Sequence, residues 1–291
     1  MRKDVRPAYT TAFGAAYVGD SLELMRQMEA ESVSLVLTSP PFALRRQKAY
    51  GNVDAAGYID WLWPFVEQIH RVLRPEGSFV LDIAGAWNPG RPTRSLLPYL
   101  LIIRLCELFH LAQDFFWFNP SKLPTPAEWV TIKRNRVKDA VNYIWWLSKS
   151  EQPDADNRRV LKPYSRSMRR LLRDGYKPEM RPSQHEISAH FRKDNGGAIP
   201  PNILVVPNTR SNDDYFKQCK AAGIPIHPAR FPHALPEFFI KFLTRPRGLV
   251  LDPFAGSNTT GMVAESLGRR WVSFEVSAEY VAGSRFRFAA A

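Results

Sequence analysis

The chain has 291 residues, 45% of them hydrophobic, which suffices for one large domain or a domain with a sizeable insertion and excludes global disorder. Forty Lys and Arg against 28 Asp and Glu leave a formal charge of +12, which points to a polyanionic partner. No apolar run approaches the roughly 18 residues of a membrane span and the opening MRKDVRPAYT lacks the apolar stretch of a signal peptide, so a cytoplasmic protein with no membrane partner is expected.

The predicted elements begin at Tyr17-Val18-Gly19-Asp20-Ser21, where Asp20 stands as an N-cap before a helix over Leu22 to Met28. An apolar strand over Val33 to Leu37 then stops in Thr38-Ser39-Pro40-Pro41-Phe42. Ile59, Leu62, Phe65, Val66, Ile69, Val72 and Leu73 fall on one helical stripe, with Gly77 as a stop signal. Strand-length apolar runs follow at Ser78 to Ile83, Phe115 to Phe118, Tyr143 to Leu147, Ile203 to Val206, Leu249 to Leu251 and Trp271 to Phe274. Several are continuous, as strands covered on both faces are. The alternation predicts an open, largely parallel α/β sheet with ligands at the carboxyl ends of its strands.

The pattern breaks between Glu151 and about Pro201, which reads as an insertion. Arg158 to Lys193 carries eleven Lys or Arg against three acids.

Two strings carry chemistry. In Val250 to Gly261 (VLDPFAGSNTTG) a strand runs into a loop of small residues and then a helix. Gly256 permits close approach of a ligand, and the helix start at Asn258 to Thr260 offers free amides to a carboxylate or phosphate. Met262 stands where a phosphate-binding loop has Lys, and GxGxxG is absent, so a carboxylate ligand fits better. About twenty residues on, Glu275 closes a strand where an acid accepts from both ribose hydroxyls. In the other string, Thr38 to Phe42, the double proline fixes the Pro40 carbonyl beside Ser39, giving two acceptors ahead of the Phe42 ring. An exocyclic amine on a nucleobase needs such acceptors, because its lone pair becomes nucleophilic only as the nitrogen pyramidalises.

TSPPF (38 to 42) together with DPFAGSNTTG (252 to 261) resembles the amino methyltransferases of DNA, and the catalytic string preceding the cofactor string is the order of their beta class. The likeness is strongest to cytosine-N4 enzymes, through TSPPFAL, WFNPSKLP, KDAVN, KDNGG, HPARFP and LPEFFI, and runs from about Tyr17 to Phe288. It implies a Rossmann-like S-adenosylmethionine-dependent methyltransferase fold with circularly permuted motif order and an inserted target-recognition region. The implied division is a catalytic region at 1–150, target recognition at 151–226 and a cofactor-binding region at 227–291. The cofactor implied is S-adenosylmethionine, with Thr38, Asp252, Phe254, Gly256 and Ser257 at its site and Asn258 and Thr259 near the methionine part. Glu275 would sit on the ribose and Asp20 on the adenine amino group. The catalytic set is Ser39, Pro40, Pro41, Phe42 and Asp82, the last orienting the serine. The expected partner is double-stranded DNA, held by Arg45, Lys122, Arg134, Arg136, Arg158, Lys162, Arg166, Arg169 and Arg170, with a monomer expected and a dimer left open.

Cytosine C5 chemistry needs a cysteine nucleophile, and neither Cys106 nor Cys219 lies in a proline-led loop. His185 and His190 step about 140° around a helix, so HEISAH is no zinc motif and no metal is expected. An adenine-N6 enzyme, which usually carries Asp or Asn in place of Ser39, stands as the alternative, as do a catalytically silent DNA-binding protein and a small-molecule or RNA methyltransferase on the same core.

Overall fold

The computed structural model describes residues 1, 5–42, 57–175, 193–208, 214–229 and 231–288. Two compact units are formed, one of Met1–Ala155 with Asn202–Ala291 and one of Asp156–Pro201. In chain order the elements are β1 (Tyr9–Thr10), β2 (Gly14–Val18), α1 (Ser21–Arg26), β3 (Val33–Thr38), α2 (Tyr58–Val72), β4 (Leu73–Ala84), α3 (Leu97–Leu105), β5 (His110–Phe118) and β6 (Val141–Ser148). They continue with α4 (Arg166–Asp174), β7 (Ile203–Val205), α5 (Asp214–Ala221), α6 (Ala234–Leu243), β8 (Leu249–Asp252), α7 (Thr259–Ser266), β9 (Arg270–Glu275) and α8 (Ala278–Ser284).

In the larger unit the described strands form one sheet in the order β1-β2-β9-β8-β3-β4-β6-β5-β7. Only β1 and β6 run against the others. The continuous apolar runs occupy its centre: Val36, Leu81, Leu251 and Phe274 are fully buried, in one cluster with Leu62, Val66, Ile69 and Val72 from the buried face of α2. Each such side chain contributes about 1.5 to 3 kcal/mol by leaving water, which fixes the helix to the sheet. α2 stops at Val72, short of the Gly77 read as its end, because Leu73 already has extended dihedrals and pairs with Val33.

The chain order of the strands matters for the site. β8 and β9, from the C-terminal part, lie between β2 and β3 from the N-terminal part. From β8 the chain crosses through α7 to β9 on one side, and from β3 through α2 to β4 on the other. The order therefore reverses between β8 and β3, and a crevice opens at their carboxyl ends.

Residues 202–226, expected in the target-recognition region, belong to the larger unit: β7 pairs in parallel with β5 through Phe116, Trp117 and Phe118, and the smaller unit ends at Pro201. Three residues suffice for this because an edge strand needs only one partner. In the smaller unit α4 is capped by Ser165, whose Oγ accepts from Met168 N at 3.1 Å, and none of its residues is buried. A bridge between Lys162 and Ala198 closes that unit, supported by Asn195 N donating to the Tyr164 hydroxyl at 2.9 Å.

Candidate active site

β3 ends in Thr38 and passes Ser39 to the carboxyl edge of the sheet, next to β4. Ser39 Oγ donates to Asp82 Oδ2 at 3.0 Å, and Asn142 Nδ2 donates to Asp82 Oδ1 at 3.1 Å. The register explains the second bond. Asn142 of β6 lies opposite Ala84 of β4, and Asp82, two residues back, shares that face. Asp82 is buried, and burial pushes its carboxyl up to about 6 against the pull of the Asn142 and Ser39 hydrogen bonds and the charge of Lys122.

On the other side of the crevice Asp252, also buried, binds three groups. Its Oδ1 accepts from Thr38 Oγ1 at 2.7 Å and Phe254 N at 3.1 Å, and its Oδ2 from Thr260 Oγ1 at 2.7 Å. Burial moves this carboxyl up to about 6 as well. Glu275, at the end of β9, accepts from Gly256 N at 2.9 Å and Ser277 N at 3.0 Å, one bond to each oxygen, so each retains a lone pair. Phe254 packs its ring 5.1 Å from Phe65 and 5.9 Å from Trp61.

Gly256 has φ +52°, and a Cβ there would lie 2.8 Å from the His227 ring. The side of the glycine expected to admit a ligand is thus roofed by an imidazole, which in turn rests edge-on against Tyr280 at 4.7 Å. Ser257 is gripped from behind by Arg287, which donates to its carbonyl at 2.6 Å and its hydroxyl at 3.0 Å while lying over the Tyr215 ring.

Ser39, Phe42, Asp82 and Lys122 line one cleft of about 300 Å³ with Asp252, Phe254, Gly256, Ser257 and Thr259. Pro40 is buried and Pro41 half-buried behind it. Other expected residues stand elsewhere. Thr38 and Asn258 are buried, and Asn258 spends its amide on the α7 cap: Oδ1 accepts from Gly261 N and Ser273 Oγ, and Nδ2 donates to Tyr9 OH. Asp20 is exposed and caps α1, with Oδ1 accepting from Leu22 N at 2.7 Å and Glu23 N at 3.3 Å.

Arg134 and Arg136 are exposed beyond β5, Arg136 donating to the Pro92 carbonyl at 2.9 Å. Arg158, Lys162, Arg166, Arg169 and Arg170 belong to the smaller unit and are exposed; Arg158 Nε and Nη2 both donate to Asp156 at 2.8 Å, and Arg170 Nε lies 3.4 Å from Asp174 Oδ2. Arg45 and the His185 to His190 stretch lie outside the described residues. Asn142, His227 and Arg287 are the parts that reading for roles passed over. Asn142 and His227 sat in strings noted for their family likeness, whereas Arg287 carried no signal.

A sheet whose order reverses beside a glycine loop, with an acid closing the next strand and a serine and carboxylate pair across the crevice, defines the Rossmann-like methyltransferase fold, here with the loop and acid late in the chain. The chain belongs to the DNA methylase family, whose profile matches residues 33–285. It is similar to the type II methyltransferase M.PvuII of Proteus hauseri, with 54% identity over 97% of this chain and 86% of that protein. It is similar in structure to the PvuII DNA methyltransferase (cytosine-N4-specific), with a TM-score of 0.80 and 48% identity over 98% of this chain and 89% of that one. The M1.HpyAVI–SAM complex shares the fold, with a TM-score of 0.54 and 18% identity over 94% and 98% of the two chains.

Proposed function

We propose that this chain is a site-specific DNA methyltransferase that transfers a methyl group from S-adenosylmethionine to the exocyclic N4 of a cytosine extruded from duplex DNA, as the modification half of a restriction-modification pair. The hydrogen bond from Ser39 Oγ to Asp82 Oδ2 carries the reading. With its proton committed to Asp82, the serine presents lone pairs to the cleft and accepts from an amine, and the Pro40 carbonyl is the second acceptor. Holding both N–H bonds favours the pyramidal nitrogen. Ser39 is then the first acceptor for the proton the amine loses, with Asp82 as the base behind it. Phe42 offers its face to the extruded base, and stacking helps offset the few kcal/mol that extrusion costs.

The cofactor residues fit their role. Glu275 keeps a lone pair on each oxygen for a ribose diol, and Asp20 Oδ2 lies beyond the bonds of its cap. Phe254 supplies an apolar wall, and Thr259 opens α7 where first-turn amides lack intrahelical acceptors for a carboxylate. S-adenosylmethionine supplies, when bound, an electrophilic methyl group on a sulfonium, a transfer that needs no metal.

The compact unit Asp156–Pro201 is the candidate for target recognition, with the α4 arginines on phosphates. The protein acts as a monomer on duplex DNA in the cytoplasm. Incubation of duplex DNA with methyl-labelled cofactor, followed by nucleoside analysis, tests the reading: N4-methylcytosine is expected. N6-methyladenine as sole product overturns the base assignment, and no transfer overturns the activity.

A further inference from the structure

We propose that Lys122 determines which base is methylated, by donating from its ammonium to the C2 carbonyl oxygen of the extruded cytosine while Ser39 holds the amine. The inference rests on the cytosine reading above and specifies how the same cleft enforces it.

Sequence alone groups Lys122 with the duplex-holding cations. The structure places it instead on the wall of the cleft, half-buried, near enough to Asp82 to act on its charge. Its backbone is fixed: Lys122 N donates to Asn119 O at 3.2 Å, Ser121 N to Asn119 Oδ1 at 3.1 Å, and Lys138 Nζ to Lys122 O at 3.3 Å. The ammonium itself makes no hydrogen bond or ion pair among the described residues. Two other side-chain donors on this wall already have acceptors, Trp117 Nε1 donating to Val206 O at 2.8 Å and Asn142 Nδ2 to Asp82 Oδ1 at 3.1 Å. Among the described lining residues, Lys122 is the only lysine or arginine.

The chemistry of the two candidate bases supplies the rest. Cytosine and adenine both present an amine beside a ring nitrogen, so the Ser39 and Pro40 acceptors cannot tell them apart. Past the ring nitrogen they differ: cytosine carries a carbonyl oxygen, adenine a C–H. A half-buried ammonium that loses its water to an incoming base needs an acceptor in exchange, and a site built around such a bond strongly rejects the analogue that lacks it.

The test begins by mapping the methylated site on DNA treated with the wild-type chain. Duplexes are then made with either cytosine or a 2-aminopyridine C-nucleoside at the target; the latter keeps the amine and ring nitrogen and lacks the carbonyl. Lys122→Met is expected to lower kcat/KM on cytosine by about tenfold or more and to leave the analogue within about twofold, while wild type loses a similar factor when the analogue replaces cytosine. Lys122→Gln, which keeps a neutral donor, recovers part of the cytosine rate and none on the analogue. Equal losses on both duplexes overturn the inference, since they place Lys122 on phosphates or behind Asp82. Adenine methylation by the wild type in the mapping step overturns the cytosine reading itself, before any variant is compared.

Discussion

Thr38 Oγ1 donates to Asp252 Oδ1 at 2.7 Å across the point where the strand order reverses. This bond joins the strand that carries the catalytic string to the strand that carries the cofactor string. Thr38→Val removes it and leaves a buried carboxylate short of a donor, which costs about 1 to 3 kcal/mol. The loss should be larger at pH 8, where Asp252 is ionised, than near pH 5, where it is protonated and needs fewer donors. Denaturant titration at the two pH values checks this, and a loss independent of pH would place the threonine's contribution in packing.

Asp82 and Asp252 each have a carboxyl raised to about 6 from an ordinary value near 4. Between those values the folded chain binds protons that the unfolded chain does not. Their contribution to stability is therefore complete below about pH 4 and is lost as pH rises through about 6. Activity should move the other way, because a protonated Asp82 no longer accepts the Ser39 proton. Single-turnover methylation should fall as pH drops through about 6, and Asp82→Asn should be slow and lack that limb.

Ser39→Ala should bind DNA normally yet turn over about 10²-fold more slowly or worse, since only the acceptor to the reacting amine is gone. Phe42→Ala should fail at an earlier step. It removes the stacking face, so the rate deficit should shrink when the target cytosine is placed opposite an abasic site, which lowers the cost of extrusion. A normal single-turnover rate in Ser39→Ala would falsify the proposed mechanism.

Gly256→Ala should weaken cofactor binding, because the added methyl group stands in the approach a ligand would use. With the His227 ring 2.8 Å from the new Cβ and φ at +52°, it should also lower the melting temperature. Introducing Gly256→Ala into a His227→Ala background separates the two effects: the clash disappears, so the additional stability loss should be smaller. Strict additivity would show that the imidazole yields freely.

Arg166 and Arg169 on α4 are exposed, while Arg158 already answers Asp156, whose carboxyl it pulls down to about 2. Alanine at Arg166 or Arg169 should each reduce the salt slope of DNA binding by about one, and at Arg158 by less. Fluorescence anisotropy across a salt series measures this. Equal slopes in all three would argue that α4 does not face phosphates.

What was legible in the sequence was what lies within a few residues of itself. Continuous apolar runs announced β3, β4 and β8, and the strings at Ser39, Gly256 and Glu275 fall at strand ends because residue type and strand end coincide there. Asn142 reaches Asp82 only through an antiparallel pairing of strands 60 residues apart, and Arg287 reaches Ser257 only because the C-terminal turn folds back behind the glycine loop. Neither relation has a local pattern. Asn258 is the reverse case: its type suits a ligand contact, and in the left-handed conformation its Oδ1 caps α7 through Gly261 N and accepts from Ser273 Oγ while its Nδ2 donates to Tyr9 OH, bonds that no local pattern announces.

The late position of β8 and β9 also orders events during synthesis. Until they leave the ribosome, β2 and β3 each present an edge with no partner, and Asp82 and Ser39 can meet without Glu275 or the glycine loop in place. A nascent chain can therefore gather the groups that would hold a base well before it has anywhere to keep a methyl donor. Competence arrives with the last strands, when they slot into the gap and close two exposed edges that would otherwise invite pairing with another chain.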